Sequence, residues 1–528
     1  MYMKRLSQIF LLCMVVTLPL WCAGVTIHIL HTNDIHQNIE PLPRIAALVA
    51  EYRQQHANTV FLDAGDYFDR GSSLVPLTRG EAVYGAMGHM GYDMLILGNH
   101  DWAYGGARMF ELMDKYPVTV LGTNLATTRP GFPDALKKSV IKEFDGVRVG
   151  FIGITLDAYG KNSKGRPYLY VLDCREETAR AVAELKKAGV DIIVAITHLG
   201  LGKMKHESKS KHPSDVDLAR EFPDIDIIVG GHSHTDMKEE QTREIYKNTG
   251  AIIVQTGGAS RFLGRLSFEV DPDSHAIKSF DVEHIASTSA TGEHQATAEF
   301  LKDLYSRYMP NAKQPAGKID KRIELYNMGY WYSDFIKNKS GSEIVLLPRD
   351  TLYDEPSSFK AKRLTMEDLF AMLYNRYLIK STVTGEELLK YCDAEKMRHR
   401  FNPFHDKGRP FSGDAFYYSG FDVTFDSATQ GVKFSIDAKK TYTLVTPWPY
   451  SSSDIRRYRH VLPERSVVDL KKPVLGLTVK NAEFLAPTTW QLLSAEVNQR
   501  PLTFPHKYSE PPACWKPWTA FFESKMKK

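Results

Sequence analysis

The chain has 528 residues, of which 43% are hydrophobic and 25% are charged. This length exceeds the roughly 250 to 300 residues that one hydrophobic core usually supports, so we expect two domains. The composition excludes disordered, collagen-like and coiled-coil proteins. A formal net charge of +4 over such a length produces little long-range electrostatic field, so we expect no nucleic-acid partner.

The first residues have the layout of a secretory signal peptide. Lys4 and Arg5 precede an apolar run over residues 9–21, and the small residues Ala23 and Gly24 follow it. The run is shorter than the ~20 residues that cross a bilayer, so we interpret residues 1–24 as a cleaved signal, with an uncleaved anchor as the alternative. The protein is therefore predicted to be exported, to the periplasm or the cell surface, without an integral membrane domain.

The cysteines indicate neither a disulfide framework nor a cysteine-based zinc site. Cys22 stands where a bacterial lipoprotein carries its lipidated cysteine, but the bulky Trp21 precedes it, so a lipid anchor is the less favoured interpretation. Cys174, Cys392 and Cys514 are widely spaced, which leaves room for one optional disulfide at most.

From residue 25 onward, short apolar runs alternate with helical or loop segments, which predicts a layered α/β fold. The runs that we interpret as buried strands are Thr26–Leu30, Val60–Leu62, Met94–Leu97, Val118–Leu121, Val147–Ile154, Ile192–Ile196, Ile225–Val229 and Ile252–Gln255. Helices are predicted over Arg44–His56, Arg175–Ala188 and Ala296–Tyr308.

A stretch rich in Ser, Thr, Ala and Gly over residues 287–294 marks the expected domain boundary. We assign residues 25–290 to a first domain, 291–320 to a linker helix, and 321–500 to a second, smaller α/β domain. The proline-rich tail over residues 501–528 lacks clear periodicity and is expected to lie across a surface.

Five of the predicted strands lead into residues that can bind metal. The candidate ligands are Asp34 and His36 after the first run, Asp66 after the second, Asn99 after the third, His198 after the sixth, and His232 and His234 after the seventh. Because an open α/β sheet binds ligands beyond the carboxyl ends of its strands, we expect these side chains to converge. Asp34 and His36 are two residues apart, and so are His232 and His234, so each pair would project to one side if its backbone is locally extended.

The residue types indicate which cations suit such a site. Imidazole suits Zn, Fe or Mn, and carboxylate suits Mn, Mg or Ca, so we expect divalent cations of open identity. Gly65, Gly98, Gly230 and Gly231 permit tight turns and close backbone approach where the strands deliver their ligands.

Each motif taken alone has a plainer interpretation. Asp-x-His after a strand is usually a polar turn, GDYFDRG from residue 65 can be an Asp turn into a helix, and a lone His198 is usually a histidine satisfied within the core. GNHD and GGHSH are unusual in core packing. Their occurrence in this order, each after an apolar run, favours a metal site.

These motifs resemble the calcineurin-like metallophosphoesterase superfamily, in particular the 5′-nucleotidase and cyclic phosphodiesterase family of secreted two-domain enzymes. The resemblance continues in the second domain, where Leu364–Leu388 looks like the family's Thr-x-x-Asp-Leu and Thr-Gly-x-x-Leu segment and Tyr417–Asp426 resembles another. It implies an N-terminal metallophosphoesterase sandwich followed by a smaller C-terminal α/β domain of the 5′-nucleotidase type.

The resemblance also implies roles for the site residues. One metal would be held by Asp34, His36, Asp66 and His234, and the other by Asp66, Asn99, His198 and His232, with Asp66 bridging. Two cations about 3.5 to 4 Å apart clamp phosphate oxygens and generate hydroxide near neutral pH, so a small phosphate ester is the expected partner. His100, beside Asn99, would stabilise the phosphoryl oxygens or protonate the leaving alkoxide, with a purely structural role as the alternative.

The sequence departs from the family pattern beside the catalytic histidine. Many members have Asn-His-Glu-Phe-Asp where this chain has NHDWA, so Ala103 replaces the Asp that would orient His100. Asp101 is the candidate substitute, and another carboxylate is the alternative.

The second departure concerns substrate recognition. The family's Asn-Gly-Gly-Gly-x-Arg loop is absent, and Leu346–Pro356 stands in its place. Arg349 is the candidate replacement contact to phosphate or sugar. Trp448 is the candidate for stacking on a base, with plain packing as the alternative.

Three functional hypotheses follow from these patterns. The first is hydrolysis of nucleoside 5′-monophosphates. The second keeps the metals but takes a 2′,3′-cyclic nucleotide, a nucleotide sugar or another phosphomonoester, which the altered second-domain loop favours. The third is a non-catalytic binding protein, which Ala103 favours and the retention of all seven ligands opposes. The oligomeric state is left open.

Overall fold

The computed structural model describes residues 24–36, 38–68, 71–127, 134–156, 169–202, 212–271, 273–320, 323–348, 352, 358–359, 362–373, 375–393, 404–405, 409–410, 416–426, 431–448, 470, 477, 479–499 and 502–503. The predicted signal up to residue 23, with Cys22, lies outside these residues, as do Arg349 and most of the tail. None of the helices in the described part of the chain has the length and apolar character that a membrane span needs.

The N-terminal half alternates strands and helices along the chain. Its strands are β1 (Val25–Thr32), β2 (Thr59–Asp63), β3 (Met94–Leu95), β4 (Thr119–Leu121), β5 (Leu125–Thr127), β6 (Leu136–Lys137), β7 (Ser139–Phe144), β8 (Val147–Thr155), β9 (Leu169–Val171), β10 (Ile192–His198), β11 (Ile227–Gly230), β12 (Ile252–Val254), β13 (Phe262–Val270) and β14 (Ile277–Ala286). Its helices are α1 (Leu42–Gln55), α2 (Leu74–Leu77), α3 (Glu81–Met90), α4 (Gly106–Lys115), α5 (Cys174–Lys187), α6 (Asp215–Glu221), α7 (Glu239–Thr249), a short 3₁₀ helix (Ser287–Ser289) and α8 (Gln295–Tyr308). Every strand and helix predicted above is present, although β3 is shorter than predicted.

Two sheets pack face to face in this half. The order across the first is β14-β13-β1-β2-β3-β4-β6, and across the second β12-β11-β10-β8-β7. Strands β1 to β4 run parallel, and so do β8, β10, β11 and β12. Ile29 and Leu62 from the first sheet meet Val194 and Val229 from the second in one apolar core. The N-terminal half is therefore the predicted α/β sandwich.

Helices cover both outer faces of the sandwich. Residues such as Phe61 and Leu95 on the outer face of the first sheet share a cluster with residues of α1, α3, α4 and α8. Ile193 and Ala195 on the outer face of the second share a cluster with residues of α5 and α6. Because such parallel strands are buried on both faces, their sequences are nearly continuous apolar runs that end where the chain reaches the sheet edge.

The C-terminal half forms a smaller α/β unit. Its strands are β15 (Pro315–Ile319), β16 (Ile323–Glu324), β17 (Ile344–Pro348), β18 (Ser358–Phe359), β19 (Lys362–Thr365), β20 (Tyr377–Thr384), β21 (Phe404–His405), β22 (Arg409–Pro410), β23 (Phe416–Ser419), β24 (Val423–Asp426), β25 (Gly431–Phe434), β26 (Thr441–Trp448), β27 (Lys480–Thr488) and β28 (Leu502–Thr503). Its helices are α9 (Leu325–Ser340), α10 (Met366–Met372), α11 (Gly385–Asp393) and α12 (Thr489–Val497). The main sheet has the order β23-β17-β26-β20-β27, and a smaller one has the order β19-β15-β28.

Two segments that resemble the family in this half mark the beginnings of helices. Thr365 accepts a hydrogen bond from the backbone N–H of Asp368, whose carboxylate accepts the N–H of Thr365, so α10 begins with a capping box. Thr384 accepts the N–H of Glu387 in the first turn of α11. Helix capping therefore accounts for the spacing of Thr365 and Asp368 in the first motif and for the position of Thr384 in the second. The domain limits themselves stay a prediction.

Candidate metal centre

The loops that leave β1 and β2 are joined through their backbones. The N–H of Asp34 donates to the carbonyl of Gly65 at 2.9 Å, and the N–H of His36 donates to the carbonyl of Asp66 at 3.0 Å. These bonds continue the pairing of two parallel strands beyond the sheet edge. The carboxylates of Asp34 and Asp66 are therefore held on adjacent loops.

One group of candidate ligands consists of Asp34, His36 and His234. Nε2 of His36 lies 3.0 Å from Nε2 of His234 and 3.6 Å from Oδ1 of Asp34, and Nε2 of His234 lies 3.2 Å from the same Oδ1. Asp34 and His36 are buried, whereas the side chain of His234 is 42% exposed. This first group therefore opens to solvent at His234.

A second group consists of Asp66, His198 and His232, all buried. Nε2 of His198 lies 3.0 Å from Oδ2 of Asp66. Within each group the possible ligand atoms lie within 4.8 Å of one another. The groups adjoin, because Nε2 of His36 is 3.9 Å from Oδ2 of Asp66. The structure thus brings six of the seven predicted ligands into two neighbouring sets.

Buried polar atoms without partners show that these residues fit cations. Among the described residues, Oδ1 of Asn99, the seventh predicted ligand, is buried and makes no hydrogen bond, and neither does Nε2 of His198, although it lies close to Asp66. Buried polar atoms are rarely left unsatisfied, so such atoms call for an unseen partner. Imidazole nitrogens, carboxylates and an amide oxygen are the donor set that a divalent transition cation accepts.

Strained backbone accompanies the same residues. The candidate ligands with φ in the left-handed region are Asp34 (51°), His36 (45°), Asp66 (62°), His232 (77°) and His234 (51°). This conformation costs a non-glycine residue on the order of 1 to 3 kcal/mol and concentrates at functional sites. The fold therefore accepts strain at five positions whose side chains share one site.

The electrostatics of the site favour charged carboxylates. Burial alone would raise the pKa of Asp34, but hydrogen bonds from His234 and His36 hold it well below its usual range. Burial alone would lower the pKa of His198, but the negative charge of Asp66 raises the pKa of that ring to about 10. A histidine ligates a metal only as the neutral ring, so a cation bound at His198 would release that proton.

His100 lies next to both groups. Its backbone N–H donates to Oδ1 of Asp66 at 2.7 Å, and its half-buried ring meets the ring of His36 edge to face at 5.2 Å between centroids. This position is compatible with the proposed contact to a substrate phosphate or leaving group.

Asp101 has a different role from the one expected from the sequence. Its carboxylate accepts the backbone N–H groups of Asp66, Tyr67, Phe68 and Gly98, at 2.7 to 3.1 Å. Burial raises its pKa to about 7, while these donors favour the ionised form. Asp101 therefore fixes the backbone that presents Asp66.

Sequence reasoning missed Asn33, which donates to Asp34, and the loop over residues 256–260, whose Ala259 N–H donates to the carbonyl of Asp34 at 2.7 Å. Only the adjacency of Asn33 to Asp34 could have drawn attention to the former. No local pattern links the loop to Asp34, because the two segments are distant in sequence.

The candidate substrate contacts lie in the second half. Trp448 at the end of β26 is 4% exposed and packs in a cluster with Tyr377 and Ile379, which favours the packing alternative. Arg349 lies outside the described residues, directly after β17.

Known proteins share this sequence pattern. A trifunctional nucleotide phosphoesterase of Bacillus subtilis is 26% identical over 278 residues, which cover 46% of this chain and 18% of that protein. The 5′-nucleotidase of Vibrio cholerae is 25% identical over 425 residues, which cover 69% of this chain and 75% of that protein. The chain therefore spans a minor part of the first relative and most of the second.

The fold is shared more widely than the sequence. A crystal structure of a 5′-nucleotidase precursor from Thermus thermophilus matches 92% of this chain and 100% of its own, with a TM-score of 0.58 and 20% identity, a likeness that shows the fold alone. Residues 27–236 match the calcineurin-like phosphoesterase family, and this segment carries all seven candidate ligands. Residues 27–236 therefore form a calcineurin-like phosphoesterase domain, and this domain carries both groups of candidate metal ligands.

Proposed function

We propose that the protein is an exported enzyme of the 5′-nucleotidase type that hydrolyses nucleoside 5′-monophosphates at the two adjoining ligand groups. The observation that carries this proposal is the separation of 3.9 Å between Nε2 of His36 in the first group and Oδ2 of Asp66 in the second. Two cations held by these groups would be neighbours, with Asp66 within reach of both. The similarity to a nucleotide phosphoesterase and to a 5′-nucleotidase supports nucleotides as substrates.

The chain's own residues account for the remaining parts of the chemistry. Two cations bound by the seven ligands would polarise the phosphate oxygens and lower the pKa of a bound water. The exposed ring of His234 leaves a path by which a phosphate dianion reaches the ligands from solvent. His100, next to both groups, would donate a hydrogen bond to the phosphoryl oxygens or a proton to the leaving alkoxide. Burial of Asp34, Asp66 and His198 strengthens these electrostatic interactions, because water is excluded behind the ligands.

A panel of substrates tests the proposal. Purified protein supplied with Mn or Zn should release phosphate from AMP and other nucleoside 5′-monophosphates faster than from sugar phosphates. An Asp66→Asn variant should lose this activity, since Asp66 is the ligand that we propose to bridge the two cations. Equal rates on AMP and sugar phosphates would refute nucleotide specificity. The absence of phosphate release with any substrate would favour the non-catalytic binding protein.

Export is the second element of the proposal. It is supported by the signal-like pattern of residues 1–24. The N-terminus of the protein recovered from its native host should begin close to Gly24, and the protein should leave the cytoplasm. A full-length N-terminus in the cytoplasmic fraction would contradict this element without affecting the enzymatic one.

A second candidate function is hydrolysis of a different phosphate ester, such as a 2′,3′-cyclic nucleotide, a nucleotide sugar or a non-nucleotide phosphomonoester. The burial of Trp448 favours it, because the ring predicted to stack on a base is packed within the second half. The same panel distinguishes the two candidates. A cyclic or sugar-linked substrate with a higher kcat/KM than AMP would establish the second one.

A further inference from the structure

Asn33 is a buried amide in which every hydrogen-bonding position is used. It is 2% exposed, and its Nδ2 donates to Oδ2 of Asp34 at 2.6 Å and to the carbonyl of Gly257 at 2.8 Å. Its Oδ1 accepts the backbone N–H of Thr256 at 2.9 Å and the hydroxyl of Thr256 at 2.7 Å. An amide side chain offers two N–H groups and two lone pairs, so Asn33 is saturated.

These bonds join the loop after β1 to the loop after β12. The second loop also packs directly against Asp34. A Cβ added at Gly258 would lie only 3.1 Å from the Cβ of Asp34. Ala259 and Ser260 in this loop have φ values of 58° and 54°, a strained conformation that the surroundings must maintain. Asn33 therefore links a candidate ligand to a strained, buried loop.

The contacts of the Asp34 carboxylate divide between its two oxygens. Oδ2 receives the Asn33 amide at 2.6 Å and lies nearer, at 3.0 Å, to the backbone N–H of His232 than Oδ1 does. Oδ1 faces Nε2 of His36 at 3.6 Å and Nε2 of His234 at 3.2 Å. Fixing Oδ2 from behind determines the direction in which Oδ1 points.

We propose that Asn33 is a positioning residue, which holds Oδ2 of Asp34 so that Oδ1 is presented to a cation in the first group. This inference rests on the proposed function, since it requires that Asp34, His36 and His234 bind a metal. An amide is required at position 33. A carboxylate there would bring an oxygen against Oδ2 of Asp34 and the carbonyl of Gly257, so three acceptors would converge without a proton.

The matched control is Asn124, a second buried amide in the same half. Its Nδ2 donates to the carbonyl of Thr155 at 2.7 Å, and its Oδ1 accepts the N–H of Thr155 at 3.0 Å. It is fully buried, and its side chain bonds to no candidate ligand among the described residues. Asn124→Asp therefore introduces the same chemical change at a position whose side chain does not bond to a candidate ligand.

The experiment measures bound metal and metal affinity, by elemental analysis and by Mn titration, in the full-length wild type, Asn33→Asp and Asn124→Asp. Loss of a residue behind a metal ligand typically weakens metal affinity about 10-fold to 100-fold. We expect a loss of this size for one of two cations in Asn33→Asp, whereas Asn124→Asp binds both as the wild type does. Asn33→Ala removes the donor without adding a charge, so it provides the same test if Asn33→Asp does not fold.

The outcomes separate this inference from the proposed function. A wild type that binds no cation overturns both. Two cations bound with wild-type affinity by the Asn33 variants overturn the positioning role and leave the proposed function standing. An equal loss of affinity in the Asn33 and Asn124 variants also overturns it, because the effect would then be one of general stability.

Discussion

Gly98 lies so close to the Asp66 carboxylate that one added methyl group should disable the site. A Cβ at position 98 would lie 2.2 Å from Oδ1 of Asp66, whereas ordinary contact begins at 3.4 Å, so Oδ1 must retreat by about 1.2 Å, which is 3.4 minus 2.2. It would also lie 2.7 Å from the backbone nitrogen of Asp66, which cannot move independently of the loop. Gly98→Ala therefore displaces the carboxylate that we propose to bridge the two groups.

A displacement of about 1 Å at a reacting centre can lower turnover about 100-fold. Overpacking of this kind also costs about 1 to 3 kcal/mol of stability, so the variant should still fold. The assay compares kcat for phosphate release and bound metal in the wild type and Gly98→Ala at saturating Mn. Gly202→Ala is the control, because a Cβ there meets nothing within 4 Å. A Gly98→Ala enzyme with wild-type turnover and metal content would refute the close approach.

Three further predictions concern residues around the site. Asp101→Ala leaves four buried N–H groups without their acceptor, so the free energy of unfolding measured in urea should fall by about 3 to 5 kcal/mol. A loss below about 1 kcal/mol would contradict the role of Asp101 in fixing the backbone. His100→Asn should lower turnover by about 100-fold or more with metal content unchanged, whereas lost metal would indicate a structural role. Burial, with a smaller effect of His284, lowers the pKa of His31 from 6.5 to about 3. The unfolded chain therefore takes up a proton that the folded chain refuses, and stability falls as the pH drops below 6.5, by about 3 kcal/mol at pH 4. This contribution should vanish in His31→Leu, and equal pH slopes of unfolding in the two proteins would disprove it.

The sequence by itself determined eight strands of the sandwich, β1 to β4, β8 and β10 to β12, and the residues that follow them. A parallel strand buried on both faces is mostly apolar, and ligand-binding side chains gather where such strands leave the sheet. Asp34, Asp66 and His198 could therefore be assigned to the carboxyl ends of their strands from the order of residues along the chain. The caps at the beginnings of α10 and α11 also lie within one turn of sequence, although neither helix was predicted.

Only the tertiary structure decided which side chains support the ligands. Asn33 meets Gly257 across 224 positions of sequence, and no periodicity or motif predicts such a pairing. Asp101 serves four backbone donors because two loops fold around it, not because it neighbours His100. Trp448 is buried where β26 pairs with β20 and brings it opposite Tyr377. The sequence around Trp448 does not reveal that pairing. Local sequence patterns therefore show which polar residues stand at the end of a strand. The role of each such residue depends on hydrogen bonds between distant segments, which form only when the sheets assemble.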